Sequence, residues 1–248
     1  MRREFTDQLT VIVRASANGH SACVKTARKL FEQLRELRDT EDAVDEECAY
    51  VAFVASSAVA NYAGDRADRS AARIAVQIAD WGRALDINVH LRRNLEYNAA
   101  TARTVVHQAS RNETQKEAFL SARKQDRELL RDARLLFSVV GYDDQVAGEL
   151  RGRALCNLAN TLDDSGRWVE AYQAYRDALD ADPTNGNAAG NAAELIRRRI
   201  SSGRGALGHY AVVHDELADL AVANRARTVE IAGEATASRW DDAPRFGG

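Results

Sequence analysis

The chain has 248 residues, of which 45% are hydrophobic and 29% charged, and its formal net charge is −3 at pH 7. This length fits one elongated domain or two compact ones, and the apolar fraction suffices for a continuous core. The slightly negative charge gives no electrostatic case for a nucleic-acid surface, so we expect no nucleic-acid partner. The longest apolar tract, 49–60, falls short of the roughly 18 residues of a membrane-spanning helix. We therefore expect no membrane association.

Residue usage predicts an all-α protein without a cofactor. Alanine, leucine, arginine and glutamate are abundant, and prolines are confined to Pro183 and Pro244, as helical chains require. The three cysteines are widely separated and form no Cys-x-x-Cys pair, which predicts buried free thiols rather than disulfides or a metal site. The dinucleotide-binding pattern Gly-x-Gly-x-x-Gly occurs at Gly203, Gly205 and Gly208, but it follows a basic helix end and not the strand that such a site needs, so we interpret Gly203 as a helix C-cap and expect no cofactor. The N-terminus lacks the apolar segment of a signal peptide, which predicts a cytoplasmic protein.

Apolar residues recur three or four positions apart along the first part of the chain, as they do on one face of a helix. The first predicted helix is 20–38, with the apolar stripe Cys23, Ala27, Leu30, Leu34 and Leu37. The second begins in the acidic segment 40–47 and ends at 63–65, and its stripe is Val44, Cys48, Val51, Ala55, Ala58 and Tyr62. A third helix carries Ile74, Ile78, Trp81 and Leu85, a fourth covers 89–109, and a fifth covers 114–140 with the stripe Phe119, Leu129, Ala133, Leu136, Phe137 and Val140. We predict N-terminal helical hairpins over 1–86.

Residues 152–185 carry a second, longer pattern. Large and small apolar residues alternate at fixed positions, namely Leu155, Leu158, Ala159, Leu162, Ala171, Tyr175, Ala178 and finally Pro183. Gly166 provides a turn, and Pro183 ends the second helix. This arrangement resembles the 34-residue tetratricopeptide repeat (TPR). Because one helical pair cannot bury its apolar face alone, the resemblance implies a right-handed α-solenoid of antiparallel hairpins, with about ten helices.

Weaker units flank this repeat. A partial repeat follows at 186–203, where Asn191 aligns with Asn157, and a divergent one precedes it, where Asn98 takes the same role and Arg103 replaces Leu162. We therefore assign 87–203 to TPR-like repeats and 204–240 to a long C-terminal helix. The apolar stripe of that helix is Leu207, Tyr210, Val213, Leu217, Leu220 and Ala223. Residues 241–248 are predicted to be a tail, and the whole chain one continuous superhelical domain.

The TPR resemblance also implies a binding groove. In this family, fixed positions of the first helix of each repeat face a concave surface. The candidate ligand-contacting residues at such positions are Arg153, Asn157, Asn160, Asn187, Asn191, Glu194, Arg197 and Arg198. Asparagine amides can clamp a peptide backbone, and the arginines can pair with an acidic peptide end. Asp163, Asp164 and Glu194 compete for those cations, so an alternative is that these residues only bridge adjacent repeats or face solvent.

From about residue 150 the order of features also resembles bacterial proteins that join a TPR-like region to a HEPN domain. That resemblance implies a role in stress or conflict (anti-phage) systems, and the chain stops near where the HEPN domain would start. The loose Arg-x(4–6)-His signature of HEPN ribonucleases occurs at Arg204–His209 and at Arg83–His90. An alternative function is therefore a HEPN-like ribonuclease or nucleotide-handling protein that uses Arg204 and His209.

The preferred hypothesis is a non-enzymatic scaffold, sensor or regulator. Its expected partner is a protein or peptide in the concave groove, and self-association into a homo-oligomer stays open.

Overall fold

A computed structural model describes residues 2–40, 44–111, 118–202 and 211–234; side chains are described within these ranges except at 110–111, 118–126, 200–202, 211–218, 220–221 and 232. All regular structure in these ranges is helical, and no strand occurs. The helices are α1 (Arg3–Ala17), α2 (Ala22–Thr40), α3 (Asp45–Arg66), α4 (Arg69–Arg83), α5 (Val89–Arg111), α6 (Ala118–Gly141), α7 (Gly148–Asp164), α8 (Trp168–Ala181), α9 (Gly186–Ser202) and α10 (Ala211–Ala232). None of them combines the length and apolarity needed to traverse a bilayer.

The all-α prediction is confirmed for the described residues, as is the helix count. The chain forms two compact units, Met1–Val140 and Gly141–Gly248, and this division lies inside the predicted repeat range 87–203. Within each unit, helices pack mainly on their neighbours in the chain. Alternate helices also touch, namely α1 with α3, α2 with α4, α3 with α5, and α7 with α9. The predicted superhelical solenoid stays a prediction.

Helix α3 is the centre of the first unit, since it packs against α1, α2, α4 and α5. The predicted stripe is buried at every position, including Cys48, Val51 and Tyr62. However, Ala49, Ala52, Val59, Ala60 and Ala63, outside that stripe, are buried too. A helix that is apolar on most sides is an interior helix. The alanine-rich tract 49–60 is thus the central helix of the first unit.

The two ends of α3 are stabilised in different ways. Its first turn holds three acidic residues, Asp45, Glu46 and Glu47, at the end where the macrodipole favours negative charge. Asp45 also accepts a hydrogen bond from the backbone nitrogen of Asp86, at 2.9 Å. The predicted end at 63–65 was wrong, because α3 continues to Arg66. The left-handed residue that closes it is Ala67, with φ 51°, and the amides of residues 67 and 68 bond back to the carbonyls of 64 and 63.

Helices α3, α4 and α5 approach each other closely at Gly82. A β-carbon built at Gly82 would lie 2.9 Å from the β-carbon of Ala52 in α3 and 3.1 Å from a methyl group of Leu95 in α5. Leu95 is fully buried. Gly82 thus marks a position where packing excludes any side chain. Nearby, the rings of Phe31 and Trp81 join α2 to α4 edge to face, with centroids 5.5 Å apart.

In the second unit, α7 and α8 form the hairpin expected from 152–185. All seven apolar positions of that pattern are buried, namely Leu155, Leu158, Ala159, Leu162, Ala171, Tyr175 and Ala178. Gly166 turns the chain between the helices with φ 77°, a conformation that glycine adopts without strain. Helix α8 ends at Ala181, two residues before the exposed Pro183. At Gly152 an added β-carbon would lie 3.0 Å from the carbonyl oxygen of Ala178, so α7 and α8 are in close contact there.

The described part of the predicted C-terminal helix is α10, Ala211–Ala232, which ends before Gly233 with its φ of 79°; residues 204–210 and 235–240 of the predicted helix lie outside the described residues. Ala223 is exposed, so placing it in the apolar stripe was wrong. Thr228 is fully buried and Asn224 is half-buried. The buried face of α10 therefore includes Asn224, the residue after Ala223, and Thr228 one turn later. The remaining stripe positions of this helix, and the predicted tail 241–248, lie outside the described side chains.

We predict opposite effects for alanine at two helical glycines of the first unit. Gly82→Ala overpacks the contact with Ala52 and Leu95 and should lower the free energy of unfolding by about 1–3 kcal/mol. Gly64→Ala places its β-carbon 3.7 Å from Val105, an ordinary contact, and should raise the free energy of unfolding by up to about 1 kcal/mol. Urea unfolding followed by circular dichroism measures both. Equal effects of the two substitutions would contradict the packing described at Gly82.

Candidate functional site

The predicted ligand-contacting residues lie on α7 and α9, which touch as alternate helices. Their exposure differs. Arg153 and Asn187 are exposed, whereas Asn157, Asn160, Asn191, Glu194, Arg197 and Arg198 are half-buried. The α7/α9 face is defined here by these eight residues. Burial of most of them follows from the contact between the two helices.

A hydrogen-bond bridge links the two helices through asparagine. The Nδ2 of Asn191 in α9 donates to Oδ1 of Asn160 in α7 at 3.0 Å, and the hydroxyl of Tyr175 in α8 donates to the same oxygen at 2.6 Å. One carbonyl oxygen with two lone pairs thus serves two donors. The amide of Asn191 also lies 4.0 Å from the sulfur of Cys156. These groups join three helices of the second unit.

Ion pairs form the second part of the α7/α9 face. Arg198 in α9 donates to Asp163 in α7, with Nη2 and Oδ2 2.5 Å apart, and Arg199 reaches the other oxygen of Asp163 at 3.4 Å. Glu194 accepts from Nε of Arg197 at 2.9 Å. The expected competition of acidic residues for the arginines therefore occurs within the chain. The Arg199 guanidinium also lies 6.0 Å from the ring centroid of Trp168 in α8, in range of a cation–π contact.

Burial changes the acid–base properties of this cluster. It raises the pKa of the Cys156 thiol to about 12, a shift that the hydrogen bond from Asn191 partly opposes. Burial also raises the pKa of Tyr175 well above its usual value, and the negative charges that Cys156 and Asp163 can carry act in the same direction. Burial lowers the pKa of Arg198, but the hydrogen bond and charge of Asp163 more than compensate, so its pKa is raised overall. These groups therefore keep fixed protonation states near neutral pH.

The first unit has a comparable asparagine. Asn98 in α5, which is 5% exposed, donates to the carbonyl oxygen of Phe53 at 2.9 Å and to the hydroxyl of Ser56 at 3.1 Å. Both acceptors belong to α3, so Asn98 bridges alternate helices as Asn191 does. The sequence alignment that matched Asn98 with Asn157 and Asn191 pointed to this position.

Arg103, which stands where the repeat has leucine, is buried at 7% exposure. It donates to Asp80 of α4 at 2.7 Å and to the carbonyl oxygen of Ala99 at 3.1 Å. A buried arginine needs such partners, because leaving the charge unpaired is strongly destabilising. Arg103 thus belongs to the contact between α4 and α5.

The structure describes only one of the two Arg–His pairs of the alternative hypothesis. Arg83 donates to Asp80 of its own helix at 3.0 Å, and His90 is exposed at the start of α5. Arg204 and His209 lie outside the described residues. In the part of the chain that is described, no three His, Cys, Asp or Glu side chains group as metal ligands.

A pocket in the first unit was missed by the sequence analysis. It has a volume of about 530 Å³ and lies between α1, α3 and α5, where Val13, Asn61, Asp65, Thr101 and Val105 are among its lining residues. The pocket forms only when all three helices pack together, and the sequence predicted hairpins over 1–86 without bounds for α1. The small residues Ala58, Ala60 and Gly64 in the second half of α3 were the available signal.

No protein-family model matches the chain, and no curated protein matches it. The resemblance to TPR proteins therefore stays a prediction that depends on the pattern at 152–185.

We expect two asparagines of the α7/α9 face to differ in their effect on stability. Asn191→Ala removes the donor to Asn160 and should lower the free energy of unfolding by about 1–2 kcal/mol. Asn187→Ala removes an exposed side chain from the same helix and should change it by less than about 0.5 kcal/mol. Thermal and urea unfolding of both variants test this. A neutral Asn191→Ala would show that the bridge contributes nothing to stability.

We predict that the second unit loses stability in alkali through Cys156. Because its folded pKa of about 12 exceeds the ordinary value of 9, its contribution is complete below pH 9 and is lost as pH rises towards 12. At pH 10.5 the loss should be about 2 kcal/mol relative to pH 8. Urea unfolding at both pH values, with reductant, compares wild type with Cys156→Ala. The variant should lose less stability between the two pH values; an equal loss would rule out Cys156 as the cause.

Proposed function

We propose that the protein is a non-enzymatic, TPR-like module that binds a protein or peptide on the α7/α9 face. The observation that supports this most is that the face contains both residues held by internal bonds and exposed polar residues. Internal hydrogen bonds and ion pairs hold Asn160, Asn191 and Glu194, and Arg153 and Asn187 are exposed residues of the same two helices. A rigid frame with exposed polar groups is suited to recognition, because little order has to be gained on binding.

Within this proposal the contacting residues are Arg153, Asn157 and Asn187. Arg153 is exposed, and an arginine has five donors, two of which can bind a ligand carboxylate. The asparagine amides can donate to and accept from a peptide backbone. Arg197 and Arg198 instead fix the frame, since both pair with Glu194. The proposed ligand is therefore a peptide segment with an acidic side chain or a free carboxyl end.

We further propose that binding serves a scaffold, sensor or regulator in a bacterial stress or conflict system. This part depends on the resemblance of the region from about residue 150 to the TPR-like part of TPR–HEPN proteins. The preference for binding over catalysis also rests on the pairing of Arg83 with Asp80, which occupies one arginine of the ribonuclease hypothesis. Self-association is a further proposal, which size-exclusion chromatography with light scattering would decide.

The test compares capture of partners from the native host by three immobilised full chains. These are the wild type, the double variant Arg153→Glu/Asn187→Ala, and Arg176→Glu as a matched control. Arg176 is an exposed arginine of α8, so its variant makes the same charge reversal away from the α7/α9 face. We expect the double variant to recover specific partners about tenfold less, which corresponds to about 1.4 kcal/mol of binding free energy. Quantitative mass spectrometry measures recovery.

Circular dichroism must first show that all three proteins have the same helix content and unfolding midpoint, since misfolding would also reduce capture. The control should recover partners as the wild type does. Equal recovery by all three proteins would contradict a binding role of the α7/α9 face.

A further inference from the structure

One end of the first unit brings together the second halves of α1, α3 and α5 with the starts of α2 and α4. Residues of the first three helices line the same pocket there. Short turns, 18–21 and 67–68, lead from α1 into α2 and from α3 into α4. At Gly19, in the first of these turns, the guanidinium of Arg66 occupies the place that a side chain would need. The two turns therefore lie side by side.

This end is rich in positive charge. The segments that form it, 11–30, 56–76 and 100–111, contain nine arginines and lysines but two acidic residues. The exposed cations among them are named here the basic end, and they are Arg14, Lys25, Arg28, Lys29, Arg66 and Arg73. None of these six pairs with an acidic side chain in the part of the chain that the structure describes. The formal charge of −3, from which we expected no nucleic-acid partner, averages over this end and more acidic segments.

The acidic groups near the basic end do not neutralise it. Asp68 caps α4 by accepting a hydrogen bond from the backbone nitrogen of Ala71 at 2.9 Å, and Asp65 is exposed. On α2 no acidic residue precedes Glu32. Residues 112–126, whose side chains lie outside the described part, hold equal numbers of acidic and basic residues. Helix dipoles oppose each other here, because two helices begin and three end at this place, so the side chains set the positive sign.

Helix stability does not explain the cations of α2 and α4. Lys25 and Lys29 are four residues apart on α2, and Arg69 and Arg73 are four apart on α4, a spacing at which like charges repel. Lys25 and Arg69 also lie in the first turns of their helices, where the macrodipole favours negative charge. Only the arginines in the last turns of α1 and α3 are placed where it favours cations. Residues that oppose local stability in this way are expected at functional sites.

A rigid polyanion with regularly spaced charges fits the basic end. Its cations belong to four helices, and neighbouring helix axes are about 10 Å apart, so a single carboxylate meets only one or two of them. A nucleic-acid strand carries a phosphate about every 3.4 Å, so about three phosphates span two helices. Single strands are commonly bound through bases stacked on aromatic rings. The one phenylalanine, tyrosine or tryptophan in the three segments, Tyr62, is buried, which favours a duplex.

We propose that the basic end binds the phosphate backbone of a nucleic-acid duplex without reading its sequence. Lys25, Lys29 and Arg73 are the central contacts. A second copy of the chain fits less well, because ion pairs with Arg2 and Arg38 already hold part of the acidic first turn of α3. The inference goes beyond the proposed function and does not depend on the α7/α9 face, since it concerns the other unit.

The experiment titrates the full chain into fluorescein-labelled DNA and RNA duplexes of about 20 base pairs, from about 50 to about 200 mM salt. Fluorescence anisotropy measures binding. The test variant is Lys25→Glu/Arg73→Glu, and Arg3→Glu/Arg176→Glu is the matched control, since it makes the same charge change at two exposed arginines outside the basic end. Each test substitution places a glutamate four residues from a remaining cation, so the unfolding midpoint should stay or rise. Circular dichroism checks this.

We expect wild type and control to bind a duplex with an affinity that falls steeply as salt rises. The test variant should bind at least about tenfold more weakly at about 50 mM salt. The slope of log affinity against log salt should become shallower by about 2, since each lost phosphate contact accounts for about 0.9. The variant Arg153→Glu/Asn187→Ala should bind the duplex as wild type does, because it alters only the α7/α9 face.

Several results would overturn the inference. Absence of duplex binding at about 50 mM salt is one, and an equal loss in test and control variants, which indicates a general charge effect, is another. Tighter binding of a single strand of the same sequence would reject the duplex. Competition by charge-matched polyglutamate or by phosphatidylserine vesicles that equals competition by unlabelled duplex would assign the basic end to an acidic protein or a membrane surface. The proposed function is unaffected by these results, because capture from the native host decides it separately.

Discussion

Close helix–helix contact through small residues is the constraint on which both units depend. In the first unit, Gly82 lets α4 lie against Ala52 of α3 and Leu95 of α5, with no space for one more carbon. In the second unit, Gly152 does the same for α7 and α8. Dispersion forces fall steeply with distance, so helices that approach this closely gain contacts that larger residues would prevent. The alanine-rich composition is therefore a packing requirement and not only a helix preference.

Alternate helices are joined by a different interaction. Asn98 donates from α5 to α3, and Asn191 donates from α9 to α7. A buried amide is destabilising unless its donors are satisfied, so each bridge fixes one relative position of two helices. The arginines of α9 act similarly through Asp163 and Glu194. Some of the polar residues on these helix faces thus hold the helices of a unit together. Fewer exposed polar residues are then left to contact a ligand.

Much of the fold was predictable from periodicity. The stripes of α2, α3 and α4 and the seven apolar positions of α7 and α8 are mainly buried because a helix repeats every 3.6 residues. Helix ends were less predictable. Gly64 reads as a stop signal, yet α3 closes at Ala67, since the hydrogen bonds available at an end depend on the following turn. Ala223 in α10 shows the same limit: small residues fit either face, so periodicity alone does not place them.

For the candidate site, the sequence determined which residues share a helix register, and hence that Arg153, Asn157, Asn187 and Asn191 belong to equivalent faces of α7 and α9. It also determined the all-helical class, since helix propensity and spacing are local properties. Only the tertiary structure decided which of these polar side chains pair with each other and which stay exposed. It alone revealed the pocket between α1, α3 and α5. Ion pairs and pockets depend on distances between residues far apart in the chain, and those distances exist only once the helices have packed.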